Sequence, residues 1–260
     1  MQPVQEALLP SERLDDLLTH DLRIIQSREV FSFSMDAVLL ARFATVPRSG
    51  RVLDLCSGNG VVALLLSTRT GASIDAVELQ PRLADMGRRS IALNGLEERL
   101  TMIEGDLRTY HRTSGYGVYD AVVVNPPYMP PETGDRNSNA YVAIARHEIH
   151  CKLEEVAAAC SRVVRTGGRV AMVHRPSRLA DLIDAMRSVR LEPKRIRFVH
   201  PHLEAEANMV LVEAIRDGKP DVRLLPPLIV YDDQRRYRDE IMKIYYGDAQ
   251  PIKIEEEDVR

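Results

Sequence analysis

Asparagine, two prolines and a tyrosine stand together at Asn125-Pro126-Pro127-Tyr128, directly after the apolar run 122–124. The prolines fix φ twice, remove two amide donors and force Asn125 into an extended conformation. The Asn125 side-chain oxygen and the Pro126 carbonyl then remain as acceptors, with Tyr128 as a flat wall beside them. Such a slot fits a planar group carrying an NH₂: two acceptors for two hydrogens, and an aromatic face for stacking. A conjugated amine is a poor nucleophile because its lone pair is delocalised. Accepting both of its hydrogens favours a pyramidal nitrogen and releases that pair toward an electrophilic carbon. No strong general base is needed, and no His or Glu adjoins the motif.

A second group of residues reads as a binding loop. The stretch 52–60, Val-Leu-Asp-Leu-Cys-Ser-Gly-Asn-Gly, follows a predicted strand and opens a predicted helix. Gly58 and Gly60 let the backbone turn sharply against a ligand, and the helix start supplies free amides. The dinucleotide spacing G-x-G-x-x-G is absent, since Ala63 stands at the third glycine position, although alanine is tolerated there. Asp54 adds an acid within the strand end itself. Glu78 closes the second predicted strand, where a carboxylate can accept both hydroxyls of a ribose. Glu104 and Asp106 follow the third, where an acid can accept from an adenine amine. Singly, each is as well explained as a solvated loop charge. Together, on the carboxyl edge of one sheet, they point to a ligand.

Apolar runs and helix-periodic segments alternate from about residue 50 to 215, the pattern of a doubly wound α/β sheet. Strands are predicted at 51–55, 73–78, 100–104, 120–125, 169–174, 195–199 and 209–214. Helices are predicted at 61–68, 81–94, 150–164 and 179–189, with Gly167-Gly168 ending the third of these. Upstream, 22–25 and 30–33 are predicted to pair as a hairpin around Ser27-Arg28. Ser34 is expected to cap a helix over 35–44 with its hydroxyl. These signals divide the chain into an N-terminal hairpin and helix (1–48), a core (49–216) and a C-terminal appendage (217–260).

With 45% hydrophobic and 28% charged residues in 260, the composition is ordinary for a globular protein and excludes disorder and collagen-like repeats. The longest apolar run, 61–66, is far short of a membrane span. No basic region followed by an apolar core opens the chain, and Cys56, Cys151 and Cys160 lack C-x-x-C spacing, so a reduced, cytoplasmic protein is expected. A net charge of −3 carries no global nucleic-acid signature. Lysine stands only at 152, 194, 219, 243 and 253, so the cations are overwhelmingly arginine, which suits phosphate and stacks on bases. A GC-rich genome would give the same skew. Arginines 187, 190, 195 and 197 with Lys194 form a local basic run, while 255–258 is an acidic tail.

The binding loop, the strand-end acids and Asn-Pro-Pro-Tyr together resemble the class I S-adenosylmethionine-dependent methyltransferases. That resemblance implies a Rossmann-like fold with a mainly parallel seven-stranded sheet and helices on both faces. It implies S-adenosyl-L-methionine as cofactor, its methionine part over 58–60, Glu78 on the ribose, and Asp106 with the Leu107 backbone on the adenine. The implied cofactor set is Asp54, Ser57, Gly58, Gly60, Glu78, Leu79, Asp106, Leu107 and Asn125; the implied catalytic set is Asn125, Pro126 and Tyr128. The tetrapeptide marks the amino-methylating branch, in which adenine and glutamine amide present similar geometry.

Residues 14–17, 31–40 (Phe-Ser-Phe-Ser-Met-Asp-Ala-Val-Leu-Leu), Ala145-Arg146-His147-Glu148 and the C-terminal 227–231 and 244–247 are similar to the bacterial tRNA1(Val) adenine-37 N(6)-methyltransferase family. The resemblance runs over nearly the whole chain and implies a tRNA anticodon loop as partner. An adenine in a loop is cheaper to turn outward than one in a duplex. Arg136, Arg146 and the basic run 187–197 are candidate phosphate contacts, and the polar segment 129–145 is expected to order on RNA. The enzyme alternatives are release-factor glutamine methylation, disfavoured by the short, partly strand-like N-terminal region, and another N-P-P-Y adenine methyltransferase acting on rRNA or DNA. A nucleotide-binding oxidoreductase and a silent RNA-binding module are the others. His147, His150 and Cys151 do not form a credible metal set, because His150 and Cys151 point about 100° apart on a helix. Ser57 lacks a histidine partner for nucleophilic work.

Overall fold

The computed structural model describes residues 8–30, 33–127 and 151–246. Among them, β3 (Arg51–Leu55), β4 (Ser73–Glu78), β5 (Leu100–Glu104), β6 (Tyr119–Val124), β7 (Val164–His174), β8 (Leu191–His200) and β9 (Met209–Arg216) form the body of one sheet. Their spatial order is β8-β9-β7-β6-β3-β4-β5. All are parallel except β9, which pairs antiparallel with β7 and β8. This is the Rossmann-like class I fold.

Every central strand alternates between two cores, because successive side chains leave opposite faces. Val52, Ile74, Ala76, Val123 and Val173 enter one core, with α1 (Met35–Phe43), α2 (Val61–Ser67) and α3 (Pro81–Leu93). Leu53, Leu55, Val77, Val122 and Met172 enter the other, with α4 (Leu107–Ser114), α5 (Leu153–Val163) and α6 (Leu179–Ser188). Burial on both faces is why these strands read as continuous Val/Leu/Ile runs.

Four local expectations are corrected. The N-terminal hairpin pairs β1 (Glu12–Asp16) with β2 (Arg23–Ser27), not 22–25 with 30–33. The sequence of β1, Glu-Arg-Leu-Asp-Asp, is too polar to register as a strand. Ser34 does not cap α1 with its hydroxyl, which donates instead to Asp36 Oδ1 at 2.6 Å; Asp36 accepts the Ala37 amide at 2.8 Å. Gly167 and Gly168 lie inside β7, near a register irregularity against β6, and α5 ends before them at Val163. Helix α4 was not foreseen: its segment, Leu-Arg-Thr-Tyr-His-Arg-Thr-Ser, buries only Leu107, Tyr110 and His111.

Beyond β9, two short strands extend the sheet past the predicted seven. β10 (Arg223–Leu224) and β11 (Leu228–Ile229) both pair parallel with β8, and α7 (Asp239–Tyr246) packs near α1. The two short strands cover two short stretches of the outer edge of β8, so the edge left exposed is broken up.

Candidate functional site

Strands β6, β3, β4 and β5 are parallel neighbours, so their carboxyl ends share one edge. Leu55 lies opposite both Val77 and Val124, and Glu78 opposite Glu104. From β3 the sheet grows one way through β4 and β5 and the other way through β6. Crevices for ligands form at such reversals in open α/β sheets. Asn125 and Pro126 follow β6 there, half-buried and buried respectively. Tyr128, Arg136, Arg146, His147, Glu148 and His150 lie outside the described residues.

The loop after β3 is built around two buried acids. Ser57 donates its hydroxyl to Asp54 Oδ2 at 2.8 Å, and the Ala63 amide donates to the same oxygen at 3.2 Å. The other oxygen, Oδ1, is buried without a hydrogen-bond partner among the described residues. Burial pushes the Asp54 carboxyl up to about 7, against the lowering effect of the Ser57 and Ala63 bonds and with help from the negative Glu78. Glu78 accepts the Gly58 amide on Oε2 and the Gln80 amide on Oε1, both at 2.8 Å. Burial raises this carboxyl too, though three backbone amides oppose it. A carboxylate oxygen left unsatisfied in a dry site is costly, and a ligand that donates to it removes the cost.

Gly58 and Gly60 carry the tight turn at φ +58 and +88, left-handed values that other residues adopt only with strain. A Cβ added at Gly58 would meet no atom within 4 Å, so its outer face borders open space. Cys56 holds a left-handed φ of +55 despite its side chain, a conformation that costs about 1–2 kcal/mol. Leu79 is 44% exposed at the rim and Leu107 is buried. Asp106 caps α4, accepting the Arg108 amide at 2.9 Å. The Arg108 guanidinium, paired with it at 2.5 Å, holds its carboxyl below the usual range. An adenine amine at Asp106 would share that carboxylate with Arg108.

Two features of the site were not anticipated. Asn59, buried between the glycines, donates Nδ2 to the Ile25 carbonyl at 3.0 Å and so ties the loop to the hairpin. The rest of β2's outer edge is met by α3: Ser90 Oγ accepts the Ile25 amide, and Asn94 bonds both backbone groups of Arg23. Only the fold brings residue 25 to residue 59; the small polar residue in a glycine loop was the sole signal. Asn59→Ala leaves a buried carbonyl without its donor, a loss of about 1–3 kcal/mol. A lower unfolding midpoint together with weaker cofactor binding is expected from calorimetry; an unshifted midpoint would mean the tether is idle.

The basic run resolves differently from its expectation. Arg187 pairs with Glu192 at 3.2 Å, Arg190 with Asp217 at 2.6 Å and Arg197 with Glu240 at 2.6 Å. Arg195 lies against the Phe43 ring and pairs at 3.1 Å with Glu213, which is fully buried. Strand alternation turns Arg195 toward that acid, which holds its guanidinium in an ion pair.

A family model, the methyltransferase small domain, matches residues 21–179, more than half of the chain. The chain belongs to the methyltransferase small domain family. Within this family it is 39% identical over 150 residues to the tRNA1(Val) (adenine(37)-N6)-methyltransferase of Aeromonas hydrophila, covering 57% of this chain and 61% of that protein. The protein of the same name from Bacteroides fragilis strain YCH46 is 27% identical over 211 residues, covering 80% of this chain and 86% of that one. The crystal structure of Atu636 of Agrobacterium tumefaciens, described as a predicted O-methyltransferase, superposes with a TM-score of 0.67 at 23% identity, over 83% of this chain and 97% of that one. Geranyl diphosphate C-methyltransferase of Streptomyces coelicolor, solved with S-adenosyl-L-homocysteine, gives 0.53 at 16% identity over 69% and 79%. These two likenesses carry the fold alone. No helix among the described residues is long and apolar enough to cross a membrane.

A titration of stability tests the acid at the centre of the methyltransferase loop. Because the native Asp54 carboxyl titrates at about 7, well above its value in an unfolded chain, the folded protein keeps a proton that the unfolded chain has lost between about pH 4 and 7. Stability of the ligand-free protein therefore falls as pH rises through that window and levels off above it. Asp54→Asn should flatten much of this slope in thermal unfolding scans, leaving the part due to Glu78, whose carboxyl burial also raises. An identical slope in the variant would assign the titration elsewhere.

Proposed function

We propose that this chain transfers a methyl group from S-adenosyl-L-methionine to the N(6) amino group of adenine in tRNA. The proposed target is adenine-37 in the anticodon loop of tRNA1(Val), modified in the cytoplasm. The observation that carries this reading is Asn125-Pro126 placed at the sheet reversal, one strand from the loop of Asp54 and Glu78. The names of the Aeromonas and Bacteroides relatives supply the nucleotide.

The residues present fit such a cofactor. The unsatisfied Asp54 Oδ1 suits a donor such as an ammonium group, and the spare lone pairs of Glu78 suit two ribose hydroxyls. Ser57, Gly58 and Gly60 would line the methionine part, while Leu79, Asp106 and Leu107 would border the adenine. When bound, the group supplies an electrophilic methyl carbon. The chain's own contribution is to the amine. Asn125 through its side-chain oxygen and Pro126 through its carbonyl accept the two hydrogens, Tyr128 supports the base from its face, and the buried loop excludes water. Proton release follows formation of the new carbon–nitrogen bond and needs no dedicated base.

Incubating the protein with labelled cofactor and total tRNA from a strain lacking it, then analysing nucleosides by mass spectrometry, tests the reading. N(6)-methyladenosine is expected. Label on protein and none on RNA would instead favour glutamine-amide methylation.

A further inference from the structure

The segment after β9 holds a run of rings that the site above does not use. Tyr231 stacks on Tyr237 with centroids 5.2 Å apart and planes 14° apart, and Tyr237 on Tyr245 at 5.9 Å and 21°. His202 lies 5.5 Å from Tyr231. Atoms in contact are about 3.5–4 Å apart, so centroids beyond 5 Å mean that neighbouring rings overlap with an offset. Tyr237 is 43% exposed.

A tight hairpin holds this ring in place. Asp232 exchanges backbone bonds with the turn, its Oδ1 accepts the amides of Gln234 and Arg236 at 2.9 Å, and Tyr231 bridges to Tyr237. Arg235 and Arg236 precede Tyr237 in the chain and Arg238 follows it, all exposed. Arg236 pairs with Asp232; among the described residues neither Arg235 nor Arg238 has a carboxylate partner. The hairpin is anchored to the body through α7: Arg42 Nε donates to the Ile244 carbonyl at 2.9 Å, and Thr19 donates to that of Tyr245.

Topology puts these rings on the working edge. β11 joins the carboxyl end of β8, with Leu228 opposite Val199 and Ile229 opposite His200. Two antiparallel pairings through β9 make β8 parallel to β7, so His200 and Asn125 lie on the same edge of the sheet. Three strand spacings separate β8 from β6, about 14 Å.

We propose that Tyr237, with Arg235 and Arg238, is a nucleotide-stacking platform that takes an unpaired RNA base and its phosphates beside the base held at Asn125. The proposal rests on the RNA reading of that site and adds a second contact to it. Exposed aromatic rings bind unpaired bases, and arginines bind the intervening phosphates. The arginines on either side of Tyr237 in the chain give this surface the positive charge that a phosphate backbone complements.

The sequence contains no tryptophan, so Tyr237→Trp installs a single indole reporter at the platform. Titration with an unmodified anticodon stem-loop RNA should quench its emission saturably, and more weakly as salt rises. Adding Arg235→Asn and Arg238→Gln should weaken that binding about tenfold; asparagine is chosen because position 235 has a φ of +62. In a separate variant, Tyr237→Leu should raise KM for tRNA about tenfold with kcat, cofactor Kd and unfolding midpoint unchanged. Absence of quenching, quenching indifferent to the two arginines, or a KM that moves only with a fallen midpoint would overturn the platform. If quenching is seen while the wild-type protein methylates no RNA, the platform stands and the proposed reaction falls.

Discussion

Asn125→Ala is expected to lower methyl transfer by about 10²–10³-fold in kcat while leaving cofactor affinity nearly unchanged. The size follows from what the residue is asked to do. Removing one preorganised partner from a charge-developing centre costs that much where water cannot substitute for it. In the reaction proposed above, the ground-state amine's lone pair is delocalised into the purine and its hydrogens are weakly acidic. As the nitrogen attacks, positive charge grows on it, and both acceptors strengthen together. An interaction that grows along the reaction lowers kcat when lost, with little effect on KM. Asn125 follows β6, whereas the residues proposed to hold the cofactor follow β3 and end β4. Rapid-quench measurement of one turnover, with calorimetric titration of the cofactor, separates the two. A variant that loses cofactor binding in proportion to rate would place Asn125 in the cofactor site only.

The sheet's central strands were legible because burial on both faces leaves an unbroken apolar signature, and β3, β4 and β5 follow their predicted bounds. The acids at their ends could be placed because parallel strands put every carboxyl end on one edge. What could not be read was decided by distant partners. β1 is a strand because Glu12 meets Arg89 at 2.7 Å and its backbone pairs with β2, neither of which leaves an apolar pattern. Asn59 reaches a carbonyl 34 residues away. In the cationic run 187–197 charge density is visible in the sequence, but the carboxylates that pair with it arrive from β9, α7 and the turn at 217. Tyr231, Tyr237 and Tyr245 were likewise visible only as separate residues, and the hairpin at Asp232 makes them one surface.

Glu213→Ala is expected to be the most destabilising single change outside the apolar cores. Its carboxylate is fully buried and receives four donors: Arg169 and Arg195 at 3.1 Å, and the Thr45 amide and hydroxyl at 2.7 and 3.1 Å. These bonds join β7, β8 and β9 to the segment leaving α1. Removing one member of a buried ion pair costs about 3–5 kcal/mol, because the remaining charge and donors are left without compensation. Both arginines here keep partial access to water, with side chains 39% and 29% exposed, so the lower end applies. At about 2–4 °C per kcal/mol for a chain of this size, the unfolding midpoint should fall by roughly 6–12 °C. Glu213→Gln keeps the volume and one acceptor and should fall less. Combining Glu213→Leu with Arg169→Met and Arg195→Met should recover part of the loss, since an apolar replacement of the whole set removes the stranded charges while the Thr45 donors still lack an acceptor. If the triple variant were no more stable than Glu213→Ala, stranded arginine charge would not be the cause, and the Thr45 donors left without an acceptor would take its place.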